Sequence, residues 1–452
     1  MSIRTLLPLA MSLIAPFIAP FIAPAAGAGE PLTLEARLAE PAMKGGEGQR
    51  NFLRVAINGC RPEPAQNRTL VNVAFVIDRS GSMHGYRIAQ AREAAIMAVN
   101  RLTGTDIASV VIFDQTVDVL VPAQPVTDPH AFTDRIRQIF VRGQTAIHAG
   151  VTRGAAEVRK SKDPRRLNRV ILLSDGQANV GPHRAEEFAA LGRALLSEGI
   201  SVSTIGLGLD YNEDLMLQLA RAGDGNHAFA REPTDLIQIF NREFDDVLGS
   251  CAQTVSIDID LKPGVRVVRA LSRDGEIDGS HAQFRMNQVY AATEHYVLME
   301  VELDKGLAAG EHELGVVKVA YTDAKTGAQQ TLNTTVRGRL GATDAEVKAS
   351  ADPKVAEAVV EQVTRERTQR AIVLRDQGKH EEARGLLMQN AAEINALVKA
   401  VPSASGYMRN LETQYQALGV APATAATPAQ LNLERKLMRE LDARSAGSGV
   451  RY

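Results

Sequence analysis

Asp78, Ser80 and Ser82 stand at alternate positions in the segment DRSGS. One carboxylate and two hydroxyls spaced this way in a turn can aim their oxygens at a single point. Hard oxygen donors of this kind suit Mg2+, with Mn2+ or Ca2+ as substitutes. Because few of the donors are charged, a bound ion would stay electrophilic and accept one more carboxylate from elsewhere. Two other segments offer similar oxygens. Gly143-Gln144-Thr145 presents a hydroxyl just before a helix, and Asp175 follows RVILLS, with Gly176 next to it for a tight turn.

Such groups need strands to carry them to one edge. LVNVAFVI, ending at Asp78, is a continuous apolar run, as expected of a strand covered on both faces. Helical spacing follows over Tyr86 to Leu102, and ASVVIF is a strand with VDVLV beside it. Asp128 to Val141 reads as helix, and Thr145 opens another over AIHAGVTRGAAEVRK. RVILLS, SVSTIGLG and HAFA are strands, alternating with helices over Arg184 to Glu198, Asn212 to Ala222 and Pro233 to Leu248. This alternation over residues 70–249 predicts an α/β fold with a doubly wound, mostly parallel sheet. In open sheets of that kind, ligands bind outside the carboxyl ends of the strands, where all three donor segments fall.

The order DRSGSM, then G-x-T, then LLSDG resembles the von Willebrand factor A domain and its metal-ion-dependent adhesion site, D-x-S-x-S…T…D. The resemblance covers about 180 residues, and every motif position is filled. It implies that Asp78, Ser80 and Ser82 form a first metal loop, Thr145 a second and Asp175 a third, with an Asp or Glu of a protein partner completing the coordination. Gln144 stands where many relatives have glycine. Arg79 fills a variable position and is expected to tune ligand charge preference. The resemblance also implies that ligand engagement can couple to a shift of the last helix, Pro233 to Leu248.

The rest of the 452 residues divides by composition. Residues 1–28 combine Arg4, a proline-broken apolar body and Ala26-Gly27-Ala28, the pattern of a cleaved export leader. Residues 29–69 are strand-like, and 250–340 alternate as in a β-sandwich, through TVSIDIDL, RVVRALS, YVLMEVEL, GVVKVAY and TLNTTVRG. The earlier segment is expected to join that sandwich, so that the α/β unit is inserted in it. Cys60 and Cys251 flank the unit, and export permits a bridge between them; two buried thiols are the alternative. Residues 341–420 read as an antiparallel helix pair around Asp376-Gln377-Gly378, and 421–452 as a linker, a terminal helix from Leu431 to Ala443 and a frayed end. The layout resembles exported bacterial von Willebrand A proteins and, loosely, inter-α-inhibitor heavy chains and calcium-activated chloride channel regulators.

A formal net charge of −2 offers no basic field for nucleic acid. Phosphate-loop, nucleophile-elbow and H-E-x-x-H motifs are lacking from the sequence, and no general base stands beside the donors, so an enzyme is not expected. His84 and His148 read as rim or helix-surface residues and Asp106 as a loop residue. Asp114, at a strand end, either orients the site or only shapes a turn. Asn67-Arg68-Thr69 and Asn333-Thr334-Thr335 fit the glycosylation pattern, which chance also produces. The leading expectation is an exported, Mg2+-dependent adhesion module, periplasmic or at the cell surface. A cell-envelope scaffold that binds through its helical tail is the competing one.

Overall fold

In the computed structural model, strand β4 (Leu70–Asp78) is buried along almost its whole length. It lies between two parallel neighbours, β5 (Ile107–Phe113) and β7 (Arg166–Ser174). Val71, Val73, Phe75 and Ile77 pack on one helical layer, while Ala74 and Val76 pack on the other. A strand apolar on both faces is therefore the only kind that fits here. The sheet continues with β8 (Ser201–Leu207) and β9 (His227–Ala230) on one side, and ends at the antiparallel β6 (Val117–Pro125) on the other. Helices α1 (Tyr86–Asn100) and α2 (His130–Arg137) cover one face. Helices α3 (Ile147–Lys160), α4 (Ala185–Ser197) and α5 (Glu213–Ala222) cover the other.

The structure describes residues 32–45, 48–61, 69–163, 165–175, 177–208, 212–230, 249–401, 404–420, 427–444 and 450–451, with single positions between 235 and 241. The expected leader, Asn67, Gly176, most of the helix expected over Pro233 to Leu248, and linker residues 421–426 lie outside the described residues.

Two antiparallel sheets form the second unit. One has the order β1 (Thr33–Leu38), β3 (Gln49–Asn58), β14 (Thr293–Leu303), β11 (Val265–Ala270). The other runs β12 (Glu276–Asp278), β13 (His281–Tyr290), β10 (Ser250–Leu261), β15 (Gly310–Asp323), β16 (Gln329–Leu340), β2 (Ala42–Met43). Their inner faces share one core, in which Leu53, Val55 and Ile57 meet Ile257, Ile259, Val317 and Val319. Strands from before and after the parallel sheet thus pair directly, Val55 opposite Val297. Cys60 and Cys251 are bridged at the crossing, with Cα atoms 5.9 Å apart.

β14 is apolar on both faces for a specific reason. Val297, Met299 and Val301 face the sandwich core, while Tyr296 and Leu298 pack outward on Val355 and Ala358 of α7 (Pro353–Asp376). That helix begins with Asp352 as cap and Pro353 in the first turn. It follows the short α6 (Asp344–Ser350) and packs with α8 (His380–Ala400), α9 (Gly406–Val420) and α10 (Pro428–Arg444) around Ile372, Ile394, Tyr415 and Met438. The expected helix pair is therefore a larger helical unit. The chain end also differs from expectation. Val450 and Arg451 form a short strand, β17, on Glu294 and Thr293 instead of lying frayed.

α10 does not belong to the tail alone. Leu433 packs against the α/β core, and the Lys436 ammonium lies 5.9 Å from the centre of the Phe229 ring on the edge strand β9. The helix thereby covers a sheet edge that would otherwise offer unpaired backbone groups.

Candidate functional site

Asp78 is the last residue of β4 and is fully buried. Its Oδ1 accepts the Ser80 backbone N–H at 2.8 Å, which closes the turn. Its Oδ2 accepts the Ser174 hydroxyl at 2.5 Å, from the end of the neighbouring strand. The hydroxyl oxygens of Ser80 and Ser82 stand 3.1 Å apart. Ser80 is buried and Ser82 exposed, so the row of oxygens leads from the interior to the surface.

The second loop is tied to the first by its backbone. Arg142 N–H donates to the Arg79 carbonyl at 2.7 Å, and Gly81 N–H donates to the Gly143 carbonyl at 3.0 Å. Gly143 has φ +73°, and a Cβ there would lie 1.7 Å from Gln115 Oε1. That oxygen accepts the Gln144 N–H at 2.9 Å, so only glycine lets the loop sit this close. Thr145 is buried. Its N–H donates to Asn179 Oδ1 at 2.7 Å, and its carbonyl accepts the Asn179 and Val180 N–H groups at 3.1 and 3.2 Å. Those contacts join the second loop to the third.

Asp175 opens the third loop and is buried. Its Oδ2 lies 3.2 Å from Arg87 Nη1, and the same nitrogen donates to the Ser82 carbonyl at 3.0 Å. Asp78, Ser80, Ser82, Thr145 and Asp175 therefore stand on three neighbouring loops at the carboxyl edge of the parallel sheet.

The charges at this edge are out of balance. Burial pushes the Asp78 carboxyl up to about 7, against the opposing hydrogen bonds from Ser174 and Ser80, and the nearby Asp175 charge pushes it the same way. A desolvated carboxylate beside a second one, with two hydroxyls in line, is a donor set that fits a divalent cation. Among the described residues no three His, Cys, Asp or Glu side chains converge on one point. An ion held here would therefore draw on the hydroxyls as much as on Asp78 and Asp175.

Other residues singled out in the sequence fall beside the site. Asp114 is buried and shapes both its surroundings and its own turn. It accepts the Arg142 Nε–H at 2.7 Å and the Thr116 N–H and hydroxyl, each at 2.7 Å, and Arg79 Nε lies 2.9 Å away. Burial works against its charge, but the Arg142 and Thr116 hydrogen bonds and the Arg79 charge hold it at about 2. Arg79 is buried and engaged by Asp114 and Asp118, so it faces the protein's own acids and not a ligand. Asp106 is a buried brace that accepts the Val71 and Thr103 N–H groups at 3.0 and 2.8 Å. His84 is exposed, and His148 stacks edge-on against Phe188 at 5.8 Å.

Three contributors have no signal in the D-x-S-x-S pattern. Ser174 reaches Asp78 because Leu173 pairs with Ile77, which puts the next residues of both strands side by side. Asn179 and Arg87 act across loops, one on Thr145 and the other on Asp175.

Comparison with known proteins bears on the fold that carries these loops. Residues 72–242 match the family described as von Willebrand factor type A domain. The protein sll0103 of Synechocystis is 25% identical over 285 residues, which is 61% of this chain and 67% of that one. Inter-alpha-trypsin inhibitor heavy chain H3 of Rattus norvegicus is 33% identical over 171 residues, 35% of this chain and 19% of that one. The chain thus spans about a fifth of the rat protein. A solved structure, von Willebrand factor type A from Catenulispora acidiphila, matches with a TM-score of 0.72 and 16% identity, covering 94% of this chain and 99% of that one. That likeness extends beyond the α/β unit to the fold of nearly the whole chain.

Proposed function

We propose that this chain, which carries a von Willebrand factor type A domain, is an exported protein-binding module whose grip depends on a divalent cation, Mg2+ in the first instance. The observation that carries the reading is the meeting of three loops at Asp78, where buried carboxylate and hydroxyl oxygens run outward to the exposed Ser82.

Asp78, Ser80, Ser82, Thr145 and Asp175 would hold the ion. When bound, the ion supplies an open coordination position for a carboxylate from the partner. The chain's own residues do the positioning. Ser174 and the Ser80 N–H orient Asp78, Asn179 fixes the backbone of Thr145, and the Gly143 carbonyl anchors the first loop through Gly81. Export is supported by the Cys60–Cys251 bridge, which belongs in an oxidising compartment. Among the described residues no helix is long and apolar enough to cross a membrane. We read the site as one for binding, because its carboxylates and hydroxyls suit a cation that a partner's carboxylate can complete.

A scaffold role through the helical unit is the second reading. It is favoured by Val373 and Met388, large apolar side chains left exposed on α7 and α8. One capture experiment separates the two readings, with the protein as bait in Mg2+, in EDTA, and as Asp78→Ala in Mg2+. A partner held only in the first condition supports the metal reading. A partner held equally in all three moves the function to the helices or the sandwich.

A further inference from the structure

Arg87 stands on the first turn of α1, and its guanidinium reaches across the mouth of the site. Nη1 bonds the Ser82 carbonyl at 3.0 Å and lies 3.2 Å from Asp175 Oδ2. Gly208, just past β8, is shaped around it: its φ is +77°, and a Cβ there would come within 2.6 Å of Arg87 Nε. The side chain is 26% exposed, so it is seated between loops and not spread over the surface. A guanidinium keeps its charge at any pH the protein meets. The site therefore contains a permanent cation of its own, placed on one of its two carboxylates.

We propose that Arg87 is an internal counter-cation that competes with the divalent ion for Asp175 and so sets how tightly the site loads. This rests on the metal reading above. Two effects act in the same direction. The guanidinium already occupies an Asp175 oxygen, and its charge repels a divalent ion bound nearby. Repulsion between a guanidinium and a divalent ion a few ångströms apart lowers affinity about tenfold even at water-like screening. With Asp175 neutralised by Arg87, only the Asp78 charge is left for the ion. A partner's carboxylate then supplies charge that the site lacks, so ion and partner each bind more tightly in the other's presence.

Mn2+ titration followed by electron paramagnetic resonance reads loading directly, without any partner. The protein, Arg87→Gln, Arg87→Lys and Asp78→Ala are compared, with circular dichroism melting to confirm that each is folded. Arg87→Gln is expected to bind Mn2+ about tenfold more tightly than the unaltered protein. Arg87→Lys, which keeps the charge, should stay within about threefold of it, and Asp78→Ala should bind none. Equal or weaker binding by a folded Arg87→Gln, with Asp78→Ala still abolishing it, overturns the role of Arg87 and leaves the metal reading standing. No binding by the unaltered protein or by Arg87→Gln overturns both.

Discussion

The Lys436 ammonium, on the last helix, lies 2.8 Å from the Glu213 carboxylate at the start of α5, and both side chains are buried. Around this pair, Arg435 bonds Glu213 and reaches Asp214 and Asp376, each at 2.8 Å, while Arg439 meets Asp214 at 2.6 Å. A further buried pair, Arg365 with Asp442 at 2.9 Å, ties the other end of the helix to α7. The last helix is thus a clasp between the α/β unit and the helical unit.

A buried ion pair broken on one side leaves an uncompensated charge. Glu213→Gln should destabilise the protein by about 3 kcal/mol, because Lys436 stays charged and buried. The double change Glu213→Leu with Lys436→Met should recover much of that loss. Chemical denaturation of the three forms checks both outcomes, and a double variant no better than Glu213→Gln would count against the clasp.

Stability should depend on pH through Glu361. This carboxyl is buried on α7, where it accepts the Tyr296 and Tyr407 hydroxyls at 2.5 and 2.8 Å. Burial pushes it up to about 7 from an ordinary 4.5, although those bonds and the Arg365 and Arg54 charges oppose the shift. The folded chain then holds a proton that the unfolded chain releases. Its contribution is complete below pH 4.5 and is lost as pH rises through about 7, a change of about 3 kcal/mol. Half-buried His227 and buried His295, both lowered to about 4 by desolvation, work in the opposite direction on the acid side. The prediction is therefore read as a difference: the gap between the protein and Glu361→Gln should change across pH 4.5 to 7 and be flat outside that window.

Ser82 is exposed and Ser80 is buried, so at these two alternate positions the proposed metal binding can be tested apart from folding. Ser82→Ala should leave the melting temperature nearly unchanged yet weaken Mg2+ binding about tenfold or more, as loss of one of few donors requires. Calorimetric titration of Mg2+ beside a melting curve checks this. Unaltered affinity would remove Ser82 from the donor set.

Reducing the Cys60–Cys251 bridge should cost about 2–5 kcal/mol, with the upper part of that range favoured by the long loop of 191 residues. The bridge also pins the exit of the α/β unit, so reductant should widen any difference in partner affinity between the Mg2+-loaded and ion-free protein. Denaturation and partner titration with and without reductant measure the two effects. Identical values in both conditions would show the bridge to be idle.

Much of the fold was legible because of burial on two faces. LVNVAFVI could only be an interior strand of a covered sheet, and the oxygen donors stood directly after such strands. The β13 strand was not legible, because Gln283, Arg285, Asn287 and Gln288 dilute its apolar set. Helix α9 was also missed as a separate element. Met408, Leu411, Tyr415 and Leu418 form its buried stripe, but it opens and nearly closes on glycine, at Gly406 and Gly419. Within the site, donors were visible through their spacing along the chain. Ser174, Asn179 and Arg87 were not, because their roles come from strand register and loop contact, which local sequence does not encode. Arg79 showed the same limit in reverse. Its position in the motif suggested a ligand-facing charge, whereas Asp114 and Asp118 hold it against the protein.

The pairing of β3 with β14 has a consequence for how the chain is made. When β1 and β3 leave the ribosome they can form only a two-stranded hairpin, which is marginal alone and presents Leu53, Val55 and Ile57 to water. Their partner strand β14 is synthesised only after the whole α/β unit. Closure of the sandwich is therefore a late, long-range step. Until that step the nascent hairpin is a sticky edge, so yield in the cell should depend on holdase protection of the first strands more than on the stability of the finished protein.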